Sequence, residues 1–302
     1  MQGIRWLGVV LAAGAFALAG CGGDDESDTG GGASGAEATP EATVEQFPAD
    51  STLGKIQAKG EITIGVKFDV PPFGVKNPQS GEVEGFDVEM GKAIANALGV
   101  EPKFIEAISD NRIPFLEDGT ADVILSTMTI NEERVQQIDF SDPYFIARGR
   151  VLVPGDSDIT GVADLAGRNV CTALGSTYEA NLKAQAPEAK LKLVDSYSEC
   201  LELVQNGAVD AVSTDDVILT GMIIQDDTLK LVGEELTQEP YGAGIKKGET
   251  EVVDFVNGVF QSIKDDGTWA KLHQEWIGKY TGETAEPPNI TVDEAVELVK
   301  QN

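Results

Sequence analysis

Apolar and polar positions alternate along this chain in a repeating order of short buried strands and amphipathic helices. Residues 61–66 (EITIGV) are apolar and β-branched, the pattern of a buried strand. Over 86–98 the helical period places Phe86, Met90, Ile94, Ala97 and Leu98 on one face, and Gly99 supplies a stop. Residues 103–107 read as a second strand, 113–117 as a short helix ending near Gly119, and 122–126 (DVILS) as a third strand. This β-α-β-α-β order predicts a parallel sheet with right-handed crossovers.

The second half repeats the order, with strands at 169–173, 191–195 and 210–213 and helices at 178–186 and 198–206. One element recurs nearly letter for letter. Leu116-Glu117-Asp118-Gly119-Thr120-Ala121-Asp122-Val123 parallels Val204-Gln205-Asn206-Gly207-Ala208-Val209-Asp210-Ala211, each a helix end, a glycine stop and an Asp opening a buried strand. A break at Pro240-Tyr241-Gly242, a strand-like Gly244-Ile245, a helix near 252–263 and an amphipathic stretch at 269–277 exceed what the second lobe needs. The chain is therefore expected to cross back. The expectation is an α/β fold of two lobes, each a mostly parallel sheet flanked by helices, with two crossovers. The first lobe takes 51–147 and 239–280, the second 148–238, and 281–302 is left as a C-terminal tail. Ligands of open α/β sheets sit beyond the carboxyl ends of the strands, which places the site in the cleft between lobes.

Outside the lobes the pattern changes. A short stretch with one positive charge, Met1 to Arg5, precedes an uncharged, mostly apolar run from Trp6 to Ala19. That run is too short and too rich in Ala and Gly for a comfortable membrane span and fits the core of a secretion signal. It ends in Leu18-Ala19-Gly20-Cys21, which resembles the bacterial lipobox, whose cysteine is lipidated and becomes the mature N-terminus. Residues 1–20 are then a lipoprotein signal peptide; the alternative is an ordinary signal peptide with an incidental cysteine. From 21 to 50 the chain is Gly, Ala, Ser, Thr, Asp and Glu with almost no large apolar residue, the composition of a flexible tether. Anchoring would hold the protein in the cell envelope, on the outer face of the cytoplasmic membrane. A formal net charge of −29 argues against nucleic acid as a partner and requires any anionic ligand to be held by a local positive pocket. Of the three cysteines, Cys171 and Cys200 remain beside Cys21. An even remainder in an exported chain points to one disulfide; the alternative is two buried thiols.

Catalytic motifs are missing from the sequence. It has no phosphate loop, no His-Glu-x-x-His and no Gly-x-Ser-x-Gly. Its single histidine, His273, falls on a C-terminal helix where a packing or surface role is expected, and no metal site or cofactor is called for. Recognition is better supported. Ser126, Thr127 and Thr129 follow the 122–126 strand, and Arg134 lies one turn inside a helix opened by Asn131, an arrangement that suits an anion. In the second lobe Ser176 and Thr177 occupy the same place after a strand, with capping-box spacing from Ser176 to Glu179. Asp215 and Asp216 follow the strand 210–213, where a carboxylate meets an ammonium group. As a set at the strand ends of both lobes, these residues suit a zwitterion.

Several motifs carry a resemblance. They are Gly65-Val66-Lys67 with Pro71-Pro72-Phe73-Gly74, Gly85-Phe86-Asp87-Val88, Asn111-Arg112-Ile113-Pro114, Ser126-Thr127-Met128-Thr129-Ile130 with Glu133-Arg134, Asp139-Phe140-Ser141-Asp142-Pro143-Tyr144, Gly175-Ser176-Thr177, and Val209-Asp210-Ala211 with Thr214-Asp215-Asp216. Collinear over about 52–280, they resemble the polar amino-acid binding proteins of bacterial ATP-driven (ABC) importers, family 3, which have two α/β lobes of the periplasmic-binding-protein type II. The resemblance implies that Arg134 binds the ligand α-carboxylate with Thr129 and the backbone at Thr177. It also implies that Asp215 takes the α-ammonium, and that Ser126 and Thr127 assist. Members that bind acidic amino acids are similar at Lys67, Arg112 and Tyr197. Two cations beyond Arg134 are costly to desolvate unless the ligand brings a second carboxylate. The expected ligand is glutamate or aspartate, with glutamine or asparagine as the alternative, and the expected partner is an ABC permease. An enzyme resembling the cyclohexadienyl dehydratases of this fold, or an extracellular sensor domain, are the other readings; the first would need an apolar ring pocket, the second a transmembrane helix and an output domain.

Overall fold

The computed structural model describes residues 44–301. The first lobe is built on a five-stranded sheet in the order Glu101–Glu106, Glu61–Val66, Val123–Ile124, Gly244–Ile245, Asp139–Phe140. The first three strands are parallel, and Gly244–Ile245 runs antiparallel to both of its neighbours. Glu61–Val66 lies inside the sheet with helices packed against it, which is why its residues are apolar on both faces. The helix Phe86–Leu98 buries Phe86, Met90, Ile94 and Leu98, with Ala95 rather than Ala97 completing the face. Gly99 ends it in the left-handed conformation at φ 72°.

The second lobe repeats the plan. Lys190–Val194, Asn169–Ala173 and Ala211–Asp215 are parallel, and Phe145–Pro154 and Leu229–Val232 extend the sheet antiparallel. The sequence repeat has a structural meaning. Asp122 accepts from the backbone N–H of Thr63 at 2.7 Å, and Asp210 accepts from that of Asn169 at 2.7 Å. In each lobe, the Asp after the glycine stop ties its strand to the neighbouring one.

The chain passes between lobes along two segments that lie side by side. Phe145 to Arg148 pair antiparallel with Gln238–Tyr241, and beyond Gly149 the same long strand joins the second-lobe sheet. A large aromatic cluster covers this junction: Phe73, Phe86, Tyr144, Phe145, Tyr241, Trp269 and His273 meet edge-on or tilted or stacked. His273 is buried there, stacked on Trp269 at 5.1 Å. Cys171 and Cys200 are joined, with Cα atoms 5.6 Å apart, fixing the helix Tyr197–Gln205 to the strand Asn169–Ala173.

Both ends differ from the plain tether and tail that the sequence suggests. Phe47 packs edge-on against Phe255, and its N–H donates to Gln57. At the other end Thr291 opens the helix Val292–Val299 with a capping box. That helix buries Ala295 and Val296 against a cluster containing Ile130, Ile138 and Phe140, and its first N–H reaches Asp142 at 3.0 Å. The expected signal peptide, Cys21 and most of the expected tether lie outside the described residues. No helix among the described residues is long and apolar enough to cross a membrane.

Candidate functional site

The cleft between the lobes narrows to a small, nearly closed cavity lined by Ser109, Arg112, Thr127, Thr129, Arg134, Ser176, Thr177, Tyr178, Tyr197 and Asp215. Eight of the ten ligand-contacting residues expected from sequence therefore meet around one space. Lys67 and Ser126 do not line it. Ser126 turns its hydroxyl inward to the Ala107 carbonyl at 2.7 Å. Lys67 is 1 % exposed, and its Nζ donates to Ser109 Oγ at 2.8 Å, so it stands behind a residue of the wall. It also lies 5.8 Å above the Tyr197 ring. Sequence reasoning missed Ser109 and Tyr178. Ser109 sits three residues before Arg112 with no motif of its own, and Tyr178 has the character of a packing residue at a helix start.

Arg112 differs most from its expected role. Its Nε donates to the Ser109 carbonyl at 3.1 Å, one Nη to those of Ser126 and Thr127 at 2.8 and 3.1 Å, and the other to Gly175 at 3.2 Å. Four of its N–H groups thus bind backbone, which makes it first a clamp on the cavity wall. Arg134 sits on the helix Glu132–Gln137, whose N-cap Asn131 accepts from the Arg134 N–H at 2.9 Å. Its guanidinium donates to the Thr129 carbonyl at 2.8 Å and, across the cleft, to Gly175 at 3.0 Å.

In the second lobe, Asp215 ends the strand Ala211–Asp215 and accepts from Tyr178 Oη at 2.9 Å. Thr214 donates to Tyr197 Oη at 2.7 Å. Thr177 donates to Glu239 at 3.0 Å, a fully buried carboxylate on the returning crossover. The expected capping box from Ser176 to Glu179 does not form. Ser176 Oγ accepts instead from Tyr178 N–H at 3.3 Å, and Glu179 pairs with Lys183. Asp216 turns away and accepts from the Arg148 N–H.

Burial governs the electrostatics. Desolvation, then the charge of Arg112, holds the Lys67 ammonium down to about 7. The same causes, burial and then Arg134, bring Arg112 to about 9. Burial lowers Arg134 as well. On the acidic side, burial raises Asp215 well above the usual carboxylate range, and the nearby charge of Glu239 adds to it. Burial also pushes Asp87 up to about 7, against the pull of its hydrogen bonds from Tyr144 and Thr127. A positive corner in the first lobe thus faces an acidic corner in the second, which suits a ligand with a carboxylate at one end and an ammonium at the other.

Comparison with known proteins places the chain in a family. The ABC transporter glutamine-binding protein GlnH of Bacillus subtilis (strain 168) is 41% identical over 230 residues, covering 75% of this chain and 84% of the relative. The glutamate-binding protein GluB of Corynebacterium efficiens is 31% identical over 245 residues, covering 76% and 83%. Among solved structures, an ancestral arginine-binding protein bound to glutamine superposes with a TM-score of 0.70 at 39% identity, covering 72% of this chain and 98% of that one. These relatives are binding proteins rather than enzymes. Residues 62–279 match one family across the sheets and the cleft alike, and the chain belongs to the bacterial extracellular solute-binding proteins, family 3.

Proposed function

We propose that this protein binds glutamate or aspartate outside the cytoplasmic membrane and passes it to an ABC permease. The observation that carries the acidic ligand is Lys67, a buried cation with a single hydroxyl as hydrogen-bond partner, next to the cavity wall. An anionic side chain at Ser109 and Lys67 would add to the counter-charge that Asp69 and Asp87 supply to this corner. In this reading Arg134 and Thr129 hold the α-carboxylate with the backbone of Thr177. Asp215 receives the α-ammonium, and Ser176, Thr127 and Tyr197 complete the wall. Arg112 and Ser126 act through the backbone they hold.

A second reading, glutamine, is favoured by two observations. The guanidinium of Arg112 is already occupied by carbonyls, which leaves Lys67 alone at the side-chain end. The 41% identical relative is a glutamine-binding protein. Titration calorimetry with glutamate, aspartate, glutamine and asparagine separates the two. Preference for the acids is expected, and preference for glutamine overturns the first reading. Arg134→Ala should remove binding of all four, since truncating one partner of a buried charge pair costs about 2–5 kcal/mol. We also propose a lipid anchor at Cys21; the intact mass of the membrane fraction should show an acylated Cys21 as first residue, and an unmodified mass would exclude it.

A further inference from the structure

Thr127 is the single non-glycine residue among those described with a positive φ, 45°. Threonine is branched at Cβ, and that conformation is strongly disfavoured for it unless its surroundings hold it there. Two buried charged residues do so from opposite sides. Asp87 Oδ2 accepts from the Thr127 N–H at 2.9 Å, and Arg112 donates to the Thr127 carbonyl at 3.1 Å.

We propose that Asp87 is a positioning residue of the binding cavity, which fixes Thr127 in its left-handed conformation so that the hydroxyls of Thr127 and Thr129 and the Arg134 guanidinium share one wall. The proposal deepens the amino-acid-binding reading and rests on it. Asp87 is fully buried in the first turn of the helix Phe86–Leu98 and lines no part of the cavity. Its second oxygen accepts from Tyr144 Oη at 2.8 Å, and the Tyr144 carbonyl is in turn held by Trp269 Nε1 at 2.8 Å. The carboxylate is therefore tied to the rigid aromatic junction on one side and to the cavity wall on the other. Burying a carboxylate with only a peptide N–H and a phenol as partners is costly, and packing alone would be met by an apolar residue of the same shape. What an apolar residue cannot do is accept the Thr127 N–H. If that N–H is released, Thr127 relaxes and carries Thr129 with it, whose carbonyl holds Arg134 at 2.8 Å.

Leucine and asparagine both match the shape of Asp87, and only asparagine keeps an acceptor for Thr127 while offering an N–H to the Tyr144 oxygen. The probe is whichever of glutamate and glutamine the wild type binds more tightly, measured by calorimetry. Asp87→Leu should weaken it by on the order of tenfold or more. Asp87→Asn should recover most of that loss. In a Thr127→Gly background, where a left-handed backbone is no longer strained, the Asp87→Leu loss should shrink to a small fraction of its size. Equal losses in the two backgrounds, or an asparagine variant as poor as leucine, overturn the proposal. Should Asp87→Leu not fold, amide exchange in the wild type decides: the Thr127 N–H should be strongly protected, and fast exchange in the folded protein refutes the clamp. A wild type that binds neither probe overturns the amino-acid reading together with this one, whereas binding that ignores Asp87 overturns this one alone.

Discussion

Arg134 of the first lobe donates to the carbonyl of Gly175 in the second at 3.0 Å, so the lobes meet directly at a residue that lines the cavity. Gly175 has φ 74°, and a Cβ there would lie 2.6 Å from the Cα of Asp110 across the cleft. Both facts select glycine, one through the backbone and one through space.

Gly175→Ala should therefore hold the lobes apart. A left-handed alanine costs about 1–2 kcal/mol, and the contact with Asp110 adds to that only when the cleft is shut. Since a ligand touching both lobes binds the shut form, affinity should fall by roughly tenfold or more. Small-angle scattering at saturating amino acid should show a larger radius than wild type. An unchanged affinity would mean that the ligand is held without contact between Gly175 and Asp110.

The disulfide joins two second-lobe elements separated by 29 residues. On the chain-entropy model a loop of that size stabilises by about 3–4 kcal/mol. Reduction, or Cys171→Ala with Cys200→Ala, should lower the melting temperature clearly while leaving ligand specificity alone, because neither sulfur lines the cavity. Two alkylatable thiols in the protein isolated without reductant would contradict the bond.

The helix Val292–Val299 is held by a small buried face. Val296→Asp would bury a carboxylate in the apolar cluster that contains Ile130 and Ile138, and release of the helix is the cheaper outcome. Proteolysis between 282 and 291 should accelerate, and the lobe should lose stability through exposure of that cluster. Resistance equal to wild type would show that the helix contributes little to its own docking.

These relationships were unequally legible in the sequence. The strand Glu61–Val66 and the helix Phe86–Leu98 were readable because their burial follows one period from end to end. The long strand Phe145–Pro154 was not, since Arg148, Gly149 and Arg150 interrupt its pattern where it leaves one lobe for the other. The helix Asp216–Gln225 is apolar nearly all round and carries no helical period to detect. In the site, residue types announced Arg134 and Asp215. The clamp on Thr127 joins residues 40 apart in the chain through a backbone N–H, and nothing in the residue types marks it. Arg112 lines the cavity, but its partners are carbonyls, which every residue has.

Lys67 offers the sharpest test of the ligand, because its charge is balanced near neutrality. Burial and Arg112 bring its ammonium to about 7, with Arg134 pressing the same way and Asp69 and Asp87 opposing. A glutamate carboxylate beside it favours the protonated form and raises that value in the complex, so binding takes up a proton. Affinity for glutamate should then be greatest below pH 7 and should fall as pH rises from about 7 towards the value in the complex, by at most tenfold per pH unit for each proton linked. Asp87, raised to about 7 by burial, titrates in the same interval and acts in the same direction, since its neutral form repels the ligand less. Glutamine carries no side-chain charge, so its affinity should change much less over this interval. On the proposed reading Arg134 and Asp215 hold the same α-groups of either ligand, so the ratio of the two Kd values isolates the side-chain corner. Calorimetry of both amino acids from pH 6 to 9 should show that ratio moving against glutamate. Lys67→Met should flatten the trend to the Asp87 contribution while keeping the apolar stem. A ratio independent of pH in the wild type would place Lys67 outside the reach of the ligand side chain.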